Sequence, residues 1–252
     1  MEKELEQCKK RLLELAEKCY LQNVYCFTGF LGMAELDVFY SIQRELSHVP
    51  VTAFGGNEGC ERQMLRFGSL EQLGYEEAFP IVCLEIRPRM EKFAQELTHR
   101  DFLGACMNLG IERSTIGDIL CRGKSAYLYC TEKIAPYIVE NLHRIRHTEV
   151  LTEAFSGELK ALLPQKEERV CQVSSERLDA VIAKTYNLSR EKSLLLFREK
   201  KIFVNGRIQE NNSAAPKPGD IVSVRGYGKF CYLGMESMTR KGKYSVRVAV
   251  YV

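Results

Sequence analysis

The chain has 252 residues, of which 45% are hydrophobic and 27% are charged. This length exceeds that of a typical single domain, and the composition is ordinary for domains with a buried core, so we expect two or three small domains. The opening segment MEKELEQCKK is charged rather than apolar. No stretch approaches the roughly twenty uninterrupted apolar residues of a membrane span, so we expect a cytoplasmic protein without a membrane partner.

The charge is distributed unevenly along the chain. Residues 170–252 carry 15 Lys and Arg against 7 Asp and Glu, a net charge of +8. Residues 1–169 carry 21 against 26, a net charge of −5. Such asymmetry predicts a segment near the C-terminus that binds a polyanion.

The ten cysteines do not have the spacing of a metal site. They stand at positions 8, 19, 26, 60, 83, 106, 121, 130, 171 and 231. No two are separated by the two to four residues of a metal knuckle, and the histidines show no ligand spacing either. We therefore expect reduced thiols that serve as small buried hydrophobic residues, and neither a metal nor any other cofactor.

Residues 1–75 are predicted to form a small N-terminal α/β domain. From Glu2 to about Tyr20, Leu and Cys recur every three or four residues between charges, which is typical of an amphipathic helix. A second helical run follows Gly32, and VTAFGG predicts a short strand that runs into a glycine turn.

Residues 76–156 are predicted to form a βαββαβ plait. The elements are the strand PIVCLEIRP, the helix HRDFLGACMNLG, the strands GDILCRG and SAYLYCT, the helix EKIAPYIVENLHRI and the strand HTEVLTEAF. Many RNA-recognition sheets use this arrangement. Tyr127 and Tyr129 alternate on a central strand, where they stack on bases, pack against a neighbouring domain or simply face solvent.

Residues 157–173 are predicted to be a linker, because Pro164 is followed by a run of charges. Residues 174–252 are then predicted to place two small helices on a small antiparallel sheet, which completes an α+β chain of three domains. The alternating residues of the final strand are Tyr244, Val246, Val248, Val250 and Val252.

Local signals define the two helices and the turns of this last domain. Ser174 and Ser175 offer N-caps for the first helix, whose apolar face carries Leu178, Val181 and Ile182. Ser189 caps the second helix, whose apolar face carries Leu194, Leu195 and Phe197. The dipeptide Asn205-Gly206 predicts a hairpin, and Pro218-Gly219-Asp220 predicts a second turn.

Basic residues cluster around the second helix. Arg190 and Lys192 occupy its first turn, where they and Ser193 are placed to share an anionic oxygen with free backbone N–H groups. The remaining basic residues at the helix end and in the following hairpin are Arg198, Lys200, Lys201 and Arg207. This combination favours phosphates on a rigid RNA shape.

Four segments resemble the S-four domain, an RNA-binding module named after the fourth protein of the small ribosomal subunit. They are SSERLDAVIAK, LSREKS, IFVNGR and PGDIVSVRG, in the order and spacing of that family. The resemblance implies RNA contacts at the matching positions, which are Arg177, Ser189, Arg190, Lys192 and Lys201. It also implies that Asp179 orients the first helix. The family usually has Gly where this chain has Lys200.

The segments THRDFLGACMNLGIERSTIGDIL and FGGNEGCER resemble the bacterial YlmH family. In that family a small first domain, a plait-like RNA-binding domain and a terminal S-four domain follow one another, so the resemblance covers nearly the whole chain. It implies association with the large ribosomal subunit and quality control of stalled nascent chains, together with a cell-division gene neighbourhood. The expected partners are therefore ribosomal RNA, transfer RNA or both.

Catalysis and a small-molecule substrate are not expected. Pseudouridine synthases carry a catalytic Asp within Arg-Leu-Asp, but here that triplet opens the C-terminal domain, with too little chain after it for a catalytic domain. RNA methyltransferases need a glycine-rich loop between a strand and a helix, and Gly55, Gly56 and Gly59 lack that fingerprint. The alternatives are an RNA-modifying enzyme and a protein-interaction adaptor whose basic face is incidental.

Overall fold

The computed structural model describes residues 2–158, 165–239 and 242–251. The chain divides into two compact units, Met1–Leu163 and Pro164–Val252. Both contain helices and antiparallel sheets, so the predicted α+β class is confirmed. No helix among the described residues is long and apolar enough to cross a membrane.

The first unit opens with an amphipathic helix on a small sheet. Helix α1, Glu2–Gln22, buries Leu12, Leu15 and Cys19 against that sheet, as its spacing predicts. The sheet has the order β1-β3-β2, with β1 at Cys26–Phe27, β2 at Val51–Phe54 and β3 at Met64–Phe67. The other two helices of this part are α2 at Met33–Ser41 and α3 at Leu70–Leu73.

A five-stranded antiparallel sheet follows. Its elements in chain order are β4 (Ile81–Pro88), α4 (His99–Asn108), β5 (Ile116–Arg122), β6 (Ser125–Thr131), α5 (Ala135–Asn141), β7 (Arg144–Ile145) and β8 (Thr148–Ala154). The strands are arranged β5-β6-β4-β8-β7. The predicted order of strands and helices is present, but the second helix ends at Asn141, and residues predicted to continue it form the short strand β7 instead.

Both faces of this sheet are covered at its centre. Helices α4 and α5 bury Phe102 and Ile138 against one face. On the opposite face Tyr129 packs with Phe30 and Met64, which belong to residues 1–75. Its side chain is only 1% exposed. Of the three interpretations of Tyr127 and Tyr129, packing is correct for Tyr129, because a ring without exposed surface can neither stack on a base nor face solvent.

Polar contacts accompany this packing. The carboxylate of Asp118 on β5 accepts hydrogen bonds from the backbone N–H groups of Glu61 (2.6 Å) and Arg62 (3.1 Å). The Arg62 guanidinium donates to the carbonyls of Phe30, Arg113 and Ile116 at 2.7, 3.1 and 3.0 Å. Backbone groups that burial would otherwise leave unsatisfied are therefore paired.

The second unit is built on a six-stranded antiparallel sheet with the order β11-β10-β12-β13-β14-β9. Its strands are β9 (Lys166–Val173), β10 (Ile202–Val204), β11 (Arg207–Ile208), β12 (Ile221–Val224), β13 (Gly228–Met238) and β14 (Tyr244–Tyr251). The final alternation is confirmed, since Val246, Val248 and Val250 are buried. Val252 lies outside the described residues.

The linker predicted over residues 157–173 is wrong for its second half. Lys166–Val173 form strand β9, which pairs along its whole length with β14. The charges that suggested a linker lie on exposed strand positions. Residues 159–164, including Pro164, lie outside the described residues.

Two helices pack on this sheet, and they depart from the sequence prediction in two details. Helix α6, Leu178–Thr185, has Arg177 as its N-cap, rather than Ser174 or Ser175. The N–H groups of Leu178 and Asp179 are satisfied by a distant loop, through the carbonyls of Ala214 (2.8 Å) and Asn212 (3.1 Å). No side-chain cap is needed at these amides.

Helix α7, Arg190–Arg198, begins as predicted at Ser189, whose hydroxyl accepts a hydrogen bond from the Lys192 N–H at 3.2 Å. The helix buries Leu196 and Phe197, whereas Leu195 is 46% exposed. Phe197 is therefore buried as predicted, whereas Leu196 and not Leu195 completes the apolar face. Three consecutive leucines do not define a helical stripe, because successive residues point about 100° apart.

The predicted hairpin at Asn205-Gly206 joins β10 to β11. Both residues have positive φ, at 51° and 79°, which is the conformation of a two-residue type I′ turn. The Asn205 side chain also bonds to the carboxylate of Asp220 (2.8 Å) and to the N–H of Ile221 (2.9 Å). The hairpin is thus held to the neighbouring strand.

Replacing Gly29 by Ala should destabilise the protein, since an added Cβ would lie 2.8 Å from the carbonyl oxygen of Ser114. We expect a loss of about 1–3 kcal/mol in the free energy of unfolding, measured by denaturant titration. The matched control is Gly104→Ala within α4, where a Cβ meets no atom within 4 Å. That change should stabilise by about 0.5–1 kcal/mol, and shifts of the same sign would contradict the described packing.

Candidate RNA-binding surface

The two helices of the second unit are oriented by the residues that they bury. Leu178, Val181 and Ile182 of α6 and Leu196 and Phe197 of α7 pack into the core above the six-stranded sheet. The polar sides of both helices therefore remain available to solvent. Most of the residues predicted to bind RNA lie on or beside these sides.

Asp179 organises the start of α6. Its carboxylate is 4% exposed and accepts hydrogen bonds from Arg177 Nε (3.1 Å) and Nη2 (2.7 Å). Asn212 donates a further bond of 3.0 Å to the same carboxylate. A bidentate pair of this kind holds a guanidinium in one orientation, and the Arg177 side chain keeps 36% of its surface exposed. The prediction that Asp179 orients the helix is consistent with these contacts.

An open groove of about 390 Å³ lies beside this pair. Three basic side chains meet there, from Arg177 before α6, Lys184 in its last turn and Arg190 at the start of α7. Ser174 and Ser175 also line the groove. The groove therefore brings together positive charge and hydroxyl groups, which is the chemistry that binds phosphate.

Lys184 was missing from the predicted site. It stands seven residues after Arg177, and Ala180 lies between them, so the three follow one face of the helix. The same spacing in the sequence would have identified it.

The predicted residues form two groups, at the two ends of α7, as the sequence indicates. Arg198, Lys200, Lys201 and Arg207 belong to the far end of α7 and the next hairpin. Because α7 has nine residues, this end lies roughly 12 Å along the axis from Arg190. A ligand that contacts both groups must therefore be extended, as a nucleic-acid backbone is.

Acidic neighbours partly balance this second group. Lys200 lies 3.2 Å from Glu210, and Lys201 lies 2.8 Å from Glu199. All four side chains are well exposed, so these pairs hold the lysines weakly. A phosphate can compete for either lysine at little cost.

The role predicted for Ser193 is wrong. Its side chain is fully buried, and its hydroxyl donates a 2.9 Å hydrogen bond to the carbonyl of Asp179. It therefore ties α7 to α6 and cannot reach a phosphate. Ser189 remains exposed, although its hydroxyl also caps α7. The Nζ atom of Lys192 lies 6.0 Å from the centre of the Tyr227 ring.

The sequence resemblance to the S-four family predicts Gly where this chain has Lys200, and the backbone at this position is one that Gly adopts freely. The residue follows the last turn of α7 with φ of +53°, in the left-handed region. A side chain is disfavoured there, whereas Gly adopts this conformation freely. The turn is thus present despite the substitution.

Among the groups considered for catalysis or metal binding, Asp179, Cys83 and Cys106 are buried. The Asp179 carboxylate is bound by Arg177 and Asn212. Burial raises the pKa of the Cys106 thiol to about 11 and that of Cys83 to about 12, so both are protonated near neutral pH. Across the described parts of the chain, no three His, Cys, Asp or Glu side chains are grouped to hold a metal ion.

Comparison with known proteins places these features in context. Residues 75–158 match the family described as "Putative RNA-binding domain in YlmH". The chain is 31% identical over 220 residues to the ribosome-associated protein quality control protein P2 of Bacillus subtilis, a match that spans 87% of this chain and 84% of that protein. In a structural comparison, the cell division protein ylmH from Streptococcus pneumoniae superposes with a TM-score of 0.49 and 21% identity, over 60% of this chain and 91% of that one.

Replacing Lys200 by Gly should stabilise the second unit, because it removes a side chain from a left-handed backbone position. We expect a gain of about 0.5–1 kcal/mol in the free energy of unfolding, measured by thermal or denaturant titration. Lys201→Gly is the control, since Lys201 does not have positive φ and should lose stability instead. Destabilisation by Lys200→Gly would show that the turn does not strain this residue.

Proposed function

This chain belongs to the family of the ribosome-associated protein quality control protein P2, and we propose that it is a non-catalytic protein that binds structured RNA. The RNA is ribosomal RNA, transfer RNA or both. We further propose that the C-terminal unit is an S-four domain and supplies the principal RNA contacts.

The observation that carries this proposal is the convergence of Arg177, Lys184 and Arg190 on one groove. Residues 170–252 have a net charge of +8, so the groove belongs to the basic part of the chain. Arg177 is held in place by a buried carboxylate before any ligand arrives, so little side-chain entropy is lost when it binds phosphate. Arg198, Lys200, Lys201 and Arg207 extend the positive surface along the backbone of the same RNA.

The relatives support a proposal for the cellular setting. The relative from Bacillus subtilis is named for ribosome association and protein quality control, and residues 75–158 match a domain named for RNA binding. We propose that this protein acts in the cytoplasm on the large ribosomal subunit, in the quality control of stalled nascent chains. The supporting features are the family membership and the basic groove.

Neutralising the groove should weaken RNA binding. We expect Arg190→Ala and Lys184→Ala each to lower the affinity for isolated large ribosomal subunits by about tenfold, since a charge-assisted hydrogen bond contributes on the order of 1.5 kcal/mol. Each lost phosphate contact should also reduce the slope of log affinity against log salt by roughly 0.7–0.9. Affinity is measured by filter binding of the full chain across a salt series.

The matched control is Arg247→Ala, which removes an exposed Arg of the same unit that pairs with Glu236 at 3.5 Å and does not line the groove. Its affinity and salt slope should remain those of the wild type. Equal losses in all three variants would indicate a diffuse effect of net charge. Unchanged binding by both groove variants would overturn the assigned site and favour a protein-interaction adaptor.

A further inference from the structure

A second concentration of positive charge lies in the first unit, on the hairpin that joins β7 to β8. The five residues His143, Arg144, Ile145, Arg146 and His147 contain two arginines and two histidines, and all four of these side chains are exposed. The surrounding residues 1–169 have a net charge of −5, so this segment stands out from its environment. The hairpin forms one edge of the five-stranded sheet.

The backbone of the hairpin holds Arg146 in an unusual conformation. Its φ is +52°, in the left-handed region that residues other than Gly, Asn and Asp rarely adopt. Two contacts maintain it, an ion pair of 2.6 Å from Nε to Asp101 at the start of α4 and a hydrogen bond of 3.1 Å from Arg144 Nε to the Arg146 carbonyl. Strained residues that the structure holds in place are concentrated at binding sites. The Arg146 side chain nevertheless keeps 64% of its surface exposed.

A small pocket adjoins the hairpin. It has a volume of about 210 Å³ and is lined by Met90, Ala94, His147, Thr148 and Glu149. Thr148 is only 6% exposed, and its hydroxyl has no hydrogen-bond partner among the described residues. A buried hydroxyl without a partner is unfavourable unless a ligand or water completes it.

The chemistry of the pocket fits one flat, polar ligand. Pockets for drug-sized molecules begin at about 300 Å³, so this pocket suits a smaller group. An imidazole and a thioether offer apolar surfaces to a ring, while the Thr148 hydroxyl and the Glu149 carboxylate accept hydrogen bonds from amino groups. Single-stranded RNA is recognised in this way, by stacking of a base on an aromatic ring and by hydrogen bonds to its edge.

We propose that the β7–β8 hairpin is a second RNA-contact site, in which Arg144 and Arg146 bind phosphates and the adjoining pocket takes one unpaired base that carries an exocyclic amino group. This inference rests on the proposed function, because it assigns a further contact to the same class of ligand. Glu149 faces Arg144 across the two strands, and its carboxylate lies 3.9 Å from Arg89. Glu149, which accepts hydrogen bonds from the base, therefore lies next to Arg144, which binds a phosphate.

The test uses the full chain and RNA hairpins that carry a five-nucleotide single-stranded tail of adenosine, cytidine or uridine. Wild-type protein should bind the adenosine and cytidine tails about fivefold more tightly than the uridine tail, since uracil has no amino group. Thr148→Val should remove most of this preference. The same change should raise the melting temperature by about 2–4 °C, because it replaces an unpartnered buried hydroxyl by a methyl group.

Thr152→Val is the matched control on the same strand. Thr152 is equally buried, but its hydroxyl donates to the Leu142 carbonyl at 3.1 Å. Its replacement should lower the melting temperature and leave the tail preference intact. For the phosphates, Arg144→Gln should weaken binding of all three tails several-fold, whereas Arg87→Gln, at an exposed Arg paired with Glu153 at 2.9 Å, should not.

The outcomes separate this inference from the function on which it rests. If wild type binds the RNA but Thr148→Val and Arg144→Gln bind every tail as wild type does, the hairpin site is overturned and the C-terminal site is unaffected. If wild type shows no preference among the tails, the base pocket is overturned. If wild type binds none of these RNAs nor the ribosomal subunit, the proposed function falls together with the hairpin site.

Discussion

The second unit depends on the hydrogen bonds of the buried residue Asp179. Its carboxylate accepts hydrogen bonds from Arg177 and Asn212, its backbone N–H donates to the Asn212 carbonyl, and its backbone carbonyl accepts from the Ser193 hydroxyl. One residue therefore joins the first turn of α6, a loop 33 residues further along the chain and the adjacent helix α7. Removing this carboxylate would release both Arg177 and Asn212, so the arrangement of the groove depends on the same contacts as the start of α6.

Local signals in the sequence were sufficient for those elements whose cause is local. The left-handed pair Asn205-Gly206, the Ser189 cap and the alternation of the last strand each depend on neighbouring residues, and all three are present. The start of α6 was placed incorrectly because its amides are satisfied by residues 212 and 214, which nothing nearby in the sequence reveals. Similarly, Lys200 carries no sign of the left-handed turn that a Gly would have shown.

For the candidate site, the sequence predicts which residues are basic better than it predicts which side chains are exposed. The basic residues at both ends of α7 and at the Arg177 position could be predicted from the sequence, whereas the groove lined by Arg177, Lys184 and Arg190 follows from the packing of the two helices. Ser193 directly follows the exposed charges of Glu191 and Lys192 in the sequence but lies on the buried side of the helix. Tyr129 shows the same limitation, because alternation identified its face of the strand but not the side chains that cover that face.

Strand β9 has a consequence for any attempt to isolate the C-terminal unit. Its first four residues, Lys166 to Arg169, are all charged and exposed, and the strand forms one edge of the six-stranded sheet. Natural sheets place charges at such edges to prevent pairing with another molecule. A fragment that began at Ser174 would lose this protection and leave β14, with its valines, as the open edge. Such a fragment would be prone to self-association, so an independent C-terminal fragment needs β9 at its start.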